Sequence, residues 1–223
     1  MTKKAEEPFV FYSILHLVEL TGHSAATLQE LAEHLRSIDG GSIYFHTHQF
    51  VKQHLYLTPE PPNDFAYWVT EVLGEDRLGE TLSAIDVTDY SSLGAMREAF
   101  VSSVEGALAL RPRLKHLSAP EGEEFHFLKS VSFVFPTDLR AHDLDELADS
   151  LRRVSLDSIY FHLFEARLRL ERPTNDFSNW VANALGEEAL AVRIARLDPY
   201  SQSGEGIRKE LLKIVDGRFV REA

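Results

Sequence analysis

The sequence predicts a mainly α-helical protein made of two homologous modules in tandem, with about five helices in each. Three observations lead to this fold class. Residues 9–46 align without a gap on residues 125–162, and the pentapeptide Ser42–His46 returns unchanged as Ser158–His162. Self-similarity over this length is typical of a repeated structural unit. In both copies the apolar residues also keep the three- and four-residue spacing of amphipathic helices.

A stretch that contains proline and glycine separates the two copies. Residues 111–122 include two prolines and one glycine, which is typical of a linker. We therefore expect residues 1–110 to form the first module and residues 123–223 the second. A duplicated module commonly keeps the symmetry of a former homodimer, so we expect a pseudo-two-fold axis between the modules.

Each predicted helix has a start or stop signal beside its apolar residues. Thr27, or Asp143 in the second copy, can cap the first helix, and Ser42 or Ser158 can cap the second. Gly74 follows the third apolar stripe and is a usual helix-ending residue. The apolar residues of the first copy fall into five groups: Leu28, Leu31, Ala32 and Leu35; Tyr44, Phe45, Phe50 and Val51; Phe65, Trp68, Val69, Val72 and Leu73; Leu78, Leu82 and Ile85; and Leu93 through Leu108.

The opening of each copy fits either a strand or a helix. Phe125-His126-Phe127 and the stretch Val131–Phe135 alternate like a strand, whereas Ile14, Leu15 and Val18 also suit a helix. The fold prediction therefore includes a short strand at the start of each module as an open alternative.

Composition excludes several classes of protein. The 223 residues are 44% apolar and 26% charged, which is an ordinary globular composition. Cysteine is absent, which excludes disulfides and thiolate chemistry and favours a cytoplasmic location. A net charge of −12 disfavours binding to nucleic acid. No apolar run is long enough for a membrane helix, and no secretory signal is recognised, so we expect no membrane association.

Three motifs shared by the copies resemble a known family. They are the Ser-Ile-Tyr-Phe-His block, the Asn-Asp-Phe-x-x-Trp block at Asn63–Trp68 and Asn175–Trp180, and the Leu-Gly-Glu that follows each. Over nearly the whole chain the sequence resembles a bacterial and archaeal family of unknown function, numbered 5752. The resemblance implies no activity. It implies only a loose association with carbohydrate-active enzymes such as glycosyltransferases, beside which some members occur.

A cluster of three histidines, His46, His48 and His54, invites comparison with a metal site. On a helix, His48 lies about 200° round from His46, so the three rings do not share one face. The aligned residues of the second copy are His162, Phe164 and Leu170. We therefore predict no metal site, and the sequence identifies no cofactor.

The polar residues that both copies retain are the candidate ligand-binding residues: His46, Asp64, His162 and Asp176. A histidine beside aromatic residues is commonly a core residue with a backbone partner, but it can also contact a ligand or act as a general base. The two aspartates precede an aromatic helix start, where capping is the alternative role. If a small-molecule site exists, we expect the histidine and aspartate of one copy to lie within hydrogen-bonding distance.

Trp68 and Trp180, which the two copies share, lie on an apolar stripe, and we expect both to be buried; stacking on a sugar ring is the alternative.

No catalytic motif of a hydrolase, phosphate-binding loop or dinucleotide-binding protein is present. The favoured function is a non-catalytic regulatory or protein-interaction module. The alternatives are a small-molecule or carbohydrate-binding protein, and an enzyme of carbohydrate metabolism.

Overall fold

The computed structural model describes residues 3–49, 62–198 and 203–217. The residues of the first copy that it describes form strand β1, Phe9–Ala25, followed by helices and a π-helical turn. In order these are α1 Leu28–Ser37, α2 Gly40–Tyr44, the π-helical turn Phe45–Gln49, α3 Asp64–Glu71, α4 Asp76–Ser83 and α5 Leu93–Leu110. Short 3-10 helices lie at Val87–Asp89 and Pro112–His116.

The described part of the second copy follows a similar order, with one additional helix directly after its π-helical turn. It begins with strand β2, Phe125–Ala141. The elements after it are α6 Leu144–Arg153, α7 Leu156–Tyr160, the π-helical turn Phe161–Glu165, α8 Ala166–Leu170, α9 Asp176–Asn183, α10 Glu188–Ala195 and α11 Gly204–Asp216. The predicted apolar residues Phe50 and Val51 lie outside the described residues.

The prediction of a mainly α-helical fold with two helical modules is wrong, because each copy opens with a long strand. The strands β1 and β2 have 17 residues each and pair in one two-stranded sheet. Their direction is antiparallel: Thr21 bonds the carbonyl of Phe127, whereas Thr137 bonds the carbonyl of Phe11. The helical spacing at the start of the first copy was misleading because the strand is exposed on both faces beyond Ile14.

The fold divides into two compact units, and both strands contribute to each. Unit I contains the residues up to Leu15 and those from Ser132 onward, whereas unit II is His16–Val131. Each unit therefore combines the helices of one copy with the first half of the other copy's strand. The module boundaries at 110 and 123 and the pseudo-two-fold axis stay predictions from the sequence.

Aromatic side chains at the start of each strand fill the core of the unit built from the other copy's helices. In unit II the ring of Phe125 lies 5.2 Å from that of Phe65. In unit I the ring of Phe9 stacks 4.8 Å from that of Phe177. All four side chains are buried, so each strand supplies core residues to helices that lie far from it in sequence.

The predicted cap is confirmed only for the first helix of each copy. Thr27 forms a capping box on α1, and Asp143 caps α6. Gly74 has φ +64°, a left-handed conformation that glycine adopts without a Cβ clash, after α3. The second helix, however, is capped by Asp39 or by Ser155 rather than by Ser42 or Ser158. It begins earlier than predicted, which leaves the two shared serines inside the helix.

Among the described residues, no helix is both long enough and apolar enough to cross a membrane.

Candidate functional site

A change from α to π geometry positions the histidine that both copies retain. His46 lies in the turn Phe45–Gln49 and His162 in the turn Phe161–Glu165, each directly after a short α-helix. Such π-helical segments are rare and frequently occur at functional sites. The side chains are only 3% and 2% exposed, so both imidazoles are part of the core.

Each histidine pairs with the aspartate of its own copy, as expected from the sequence. His46 Nδ1 lies 2.6 Å from Asp64 Oδ2, and His162 Nδ1 lies 2.7 Å from Asp176 Oδ2. The aspartates are the first residues of α3 and α9. The capping interpretation of these aspartates is wrong.

The cap is supplied by the asparagine immediately before each aspartate. The side chain of Asn63 accepts the N–H of Ala66, and that of Asn175 accepts the N–H of Ser178. The nitrogens of the same two side chains donate to the carbonyls of Leu82 and Ile194. With the cap already formed, each aspartate is available to the histidine.

The second nitrogen of each imidazole accepts a hydrogen bond from a strand. Leu128 N–H donates to His46 Nε2 at 3.0 Å, and Tyr12 N–H donates to His162 Nε2 at 2.8 Å. An acceptor at Nε2 leaves the proton on Nδ1, which donates to the carboxylate. The lone pair that a general base would use is therefore occupied, and each histidine links a helix to a strand within its unit.

The environment lowers both pKa values of the pair in unit I. Burial lowers the pKa of His162 below its ordinary value of 6.5, although Asp176 opposes this effect. Burial alone would raise the pKa of Asp176, but hydrogen bonds from His162 and Arg169 outweigh it and lower that pKa. The favoured state near neutral pH is a neutral imidazole beside an ionised carboxylate.

A cavity of about 450 Å³ opens beside the pair in unit I. Its walls are mainly apolar, and Asp176 and Arg169 form its charged part. The side chains that line it are Pro8, Phe9, Val10, Tyr12, Val134, Phe161, His162, Arg169, Asp176 and Trp180. All of them belong to unit I, so the candidate residues His162 and Asp176 lie at a cavity formed by one compact unit.

Arg169 is a residue of this cavity that the sequence comparison missed. Its Nη2 donates to both carboxylate oxygens of Asp176, at 2.7 and 2.6 Å, and its guanidinium lies 4.6 Å from the ring centre of Phe161. The aligned residue of the first copy is Gln53, which lies outside the described residues. A search restricted to identities between the copies excludes Arg169, and no other signal in the sequence indicated it.

The two tryptophans differ in burial. Trp68 is 4% exposed and its indole N–H donates to the carbonyl of Glu123. Trp180 is half-buried at the cavity, where its indole N–H donates to the carbonyl of Glu7. The expected burial is confirmed for Trp68 only.

Of the other two histidines in the sequence cluster, only His48 lies among the described residues. His48 is buried, and its ring stacks on that of Tyr44 at 5.5 Å. His54 lies outside the described residues. Across residues 3–49, 62–198 and 203–217, no group of three histidine, aspartate or glutamate side chains could hold a metal ion.

The protein therefore belongs to the α+β class, and each of its two long strands contributes residues to both compact units. The chain belongs to a family of unknown function (DUF5752), whose sequence profile matches residues 6–216. It is also similar to a solved structure described as "The structure of OrfY from Thermoproteus tenax". The two chains are 30% identical, the match covers 96% of this chain and 97% of that chain, and the TM-score is 0.81. No curated protein matches the chain.

Proposed function

We propose that the protein is a non-catalytic protein-interaction module, with a regulatory role exerted through that interaction. The observation that carries this proposal is the set of large apolar side chains that the two strands expose. They are Leu15, Phe133, Val134 and Phe135 in unit I, and Leu17, Val18 and Leu20 in unit II. Several large apolar side chains exposed close together along a strand commonly mark a protein-binding site.

The grouping of these residues along two strands distinguishes them from single exposed apolar side chains such as Leu110, which is 82% exposed. Leu20 is 76% exposed, and the other six are between 41% and 59% exposed. In both strands they include consecutive residues, whose side chains point to opposite faces of the sheet. Among the described residues, both faces of the sheet are therefore uncovered at these positions. An exposed two-stranded sheet also offers strand edges to which a partner can add a strand.

The histidine pairs support a role without catalysis. A general base needs a free lone pair within reach of a substrate, whereas both Nε2 atoms accept a backbone N–H. The identity of these residues in the two copies is explained by their link between helix and strand. A net charge of −12 favours a protein partner over nucleic acid, and the absence of cysteine fits a cytoplasmic setting.

The proposal is tested by crosslinking in the cells that make the protein. A photoreactive amino acid replaces Leu17 on β1 or, as the control, Glu33 on the exposed side of α1. We expect one protein to crosslink at position 17 and not at position 33. The double variant Leu17→Lys and Phe133→Lys should abolish co-purification of the crosslinked protein. Binding would bury the two lysine charges under that protein without an opposite charge to pair with them.

The stability of the double variant distinguishes loss of binding from loss of folding. Both side chains are more than half exposed, so the urea midpoint should stay close to that of the parent. Equal crosslinking at both positions, or co-purification that survives both lysines, would contradict the proposal.

A further inference from the structure

We propose that the cavity of unit I binds a neutral, ring-shaped small molecule that presents a hydrogen-bond donor and an acceptor side by side. This inference goes beyond the protein-interaction function, although Val134 both lines the cavity and belongs to the exposed apolar set. It rests on the aromatic walls of the cavity, on the unused hydrogen-bonding capacity of Arg169 and Asp176, and on the balance of their charges.

The walls are suited to a flat apolar surface. Trp180 and Tyr12 line the cavity and are both partly exposed, while Phe9 and Phe161 line it and are buried. Aromatic side chains contact flat rings over a large area and also accept the apolar faces of sugars. The volume of about 450 Å³ lies within the range of roughly 300–1,000 Å³ typical of small-molecule sites.

The polar part of the cavity presents a donor beside an acceptor. Nη2 of Arg169 is occupied by Asp176, and no described residue accepts a hydrogen bond from its Nε or Nη1. Oδ2 of Asp176 accepts from His162 and Arg169, whereas Oδ1 accepts only from Arg169 within the described part of the chain. Since a carboxylate oxygen can accept two hydrogen bonds, Oδ1 has room for one donor from a ligand.

The geometry holds these two groups in place before a ligand arrives. Phe161 supports the guanidinium from one side, and His162 fixes the carboxylate through Nδ1. His162 is itself fixed by the backbone N–H of Tyr12, so it acts as a positioning residue and not as a ligand-contacting base. A site whose polar groups are already oriented loses less conformational entropy when it binds.

The charges select a neutral ligand. The guanidinium of Arg169 and the carboxylate of Asp176 offset each other, and the protein as a whole carries a net charge of −12. An anion would compete with Asp176 for the guanidinium and would be repelled by the protein's overall charge. A neutral molecule with paired polar groups satisfies both side chains without this cost.

Two neutral probes test the two sources of this chemistry, and an anion serves as the charge control. Adenosine carries a donor and an acceptor on the edge of a flat heterocycle, methyl α-glucoside carries them as adjacent hydroxyls, and benzoate is a flat anion. Each is titrated into the full chain labelled with ¹⁵N. The chain has two tryptophans, so the spectrum has two indole N–H signals, which the variant Trp68→Phe assigns.

We expect a saturable shift of the Trp180 indole signal with at least one neutral probe. Trp68 is buried in unit II, so its indole signal should not move. Benzoate should give no saturable shift of either signal. Which neutral probe saturates then identifies the source as a heterocycle or a sugar.

Matched variants connect the shift to the proposed contacts. Arg169→Met removes the donors but keeps an apolar stem, and we expect it to weaken binding about tenfold or more, as for hydrogen bonds to a charged group. Arg193→Met changes an exposed arginine of α10 outside the cavity and should leave affinity unchanged. Val134→Phe should also abolish binding, because it fills the cavity from an exposed strand position without touching either charge.

The proposal is overturned if neither neutral probe saturates the Trp180 shift, or if benzoate binds as tightly as the better neutral probe. Affinity that Arg169→Met leaves intact in a folded protein also overturns it. A urea unfolding midpoint close to that of the parent shows that unit I, which carries the three substitutions, is folded in each variant.

Discussion

The exchange of strand halves predicts that one sequence copy cannot fold as a stable monomer. Residues 1–122 contain the whole first copy, but they lack the β2 residues that complete unit II. Residues 16–131 contain unit II entirely. We therefore expect the fragment 16–131 to fold and the fragment 1–122 to be unfolded as a monomer.

The magnitude follows from the side chains that fragment 1–122 lacks. Phe125 and Phe127 are at most 5% exposed, and loss of each should cost about 3–5 kcal/mol, or about 6–10 kcal/mol together. Loss of Leu128 N–H leaves the buried Nε2 of His46 without a partner, at a further cost of about 1–3 kcal/mol. The sum is comparable to the whole stability of a domain, about 5–15 kcal/mol.

Circular dichroism in urea and light scattering after size exclusion test this prediction. Fragment 16–131 should unfold cooperatively and independently of concentration. Fragment 1–122 should gain structure only at high concentration, as a dimer in which Phe9 and Phe11 of one chain take the places of Phe125 and Phe127 for another. A folded, monomeric 1–122 fragment as stable as 16–131 would refute the reasoning.

Three further predictions concern single side chains. The pKa of His162 is lower in the folded chain than in the unfolded chain, chiefly because of burial. The free energy of unfolding should therefore decrease as the pH is lowered through about 6.5. His162→Gln should flatten this pH dependence in urea titrations. Trp68→Ala should cost about 3–5 kcal/mol and half-buried Trp180→Ala clearly less, measured by urea unfolding; equal losses would contradict the difference in burial. Asn63→Ala should cost about 1–2 kcal/mol, because the helix cap and a buried hydrogen bond are lost together; thermal unfolding that matches the parent would exclude this role.

The sequence predicted those features that neighbouring residues determine. Thr27 and Asp143 were identified as caps because a capping side chain bonds N–H groups only two or three residues away. Assignment of the cap to Asp64 was wrong because Asn63, the residue before it, can also cap a helix. The helix begins at Asp64, which makes Asn63 the capping residue. The contact between His46 and Asp64 was expected only on the condition that a small-molecule site exists, because both copies retain the two residues.

Features set by long-range packing were not predictable in this way. The strand at the start of the first copy has no clear alternation beyond Ile14, because both of its faces are exposed there. Alignment of the copies shows that Phe9 corresponds to Phe125, but it does not show on which helices either side chain packs. Arg169 was missed for a different reason: it lies only seven residues from Asp176, but the two copies do not share an arginine at this position.

The shared strands also affect how the chain folds during synthesis. The backbone of Tyr12 is bonded to a residue 150 positions later, His162, and Glu7 to Trp180, 173 positions later. At about 5–20 residues per second, the ribosome takes roughly 8–30 s to add 150 residues. Phe9 and Phe11 therefore emerge early and stay without their helices while unit II is completed. During this interval two nascent chains on one messenger RNA expose the same aromatic segment, so we expect chaperone binding to the N-terminal strand to raise the yield of folded protein.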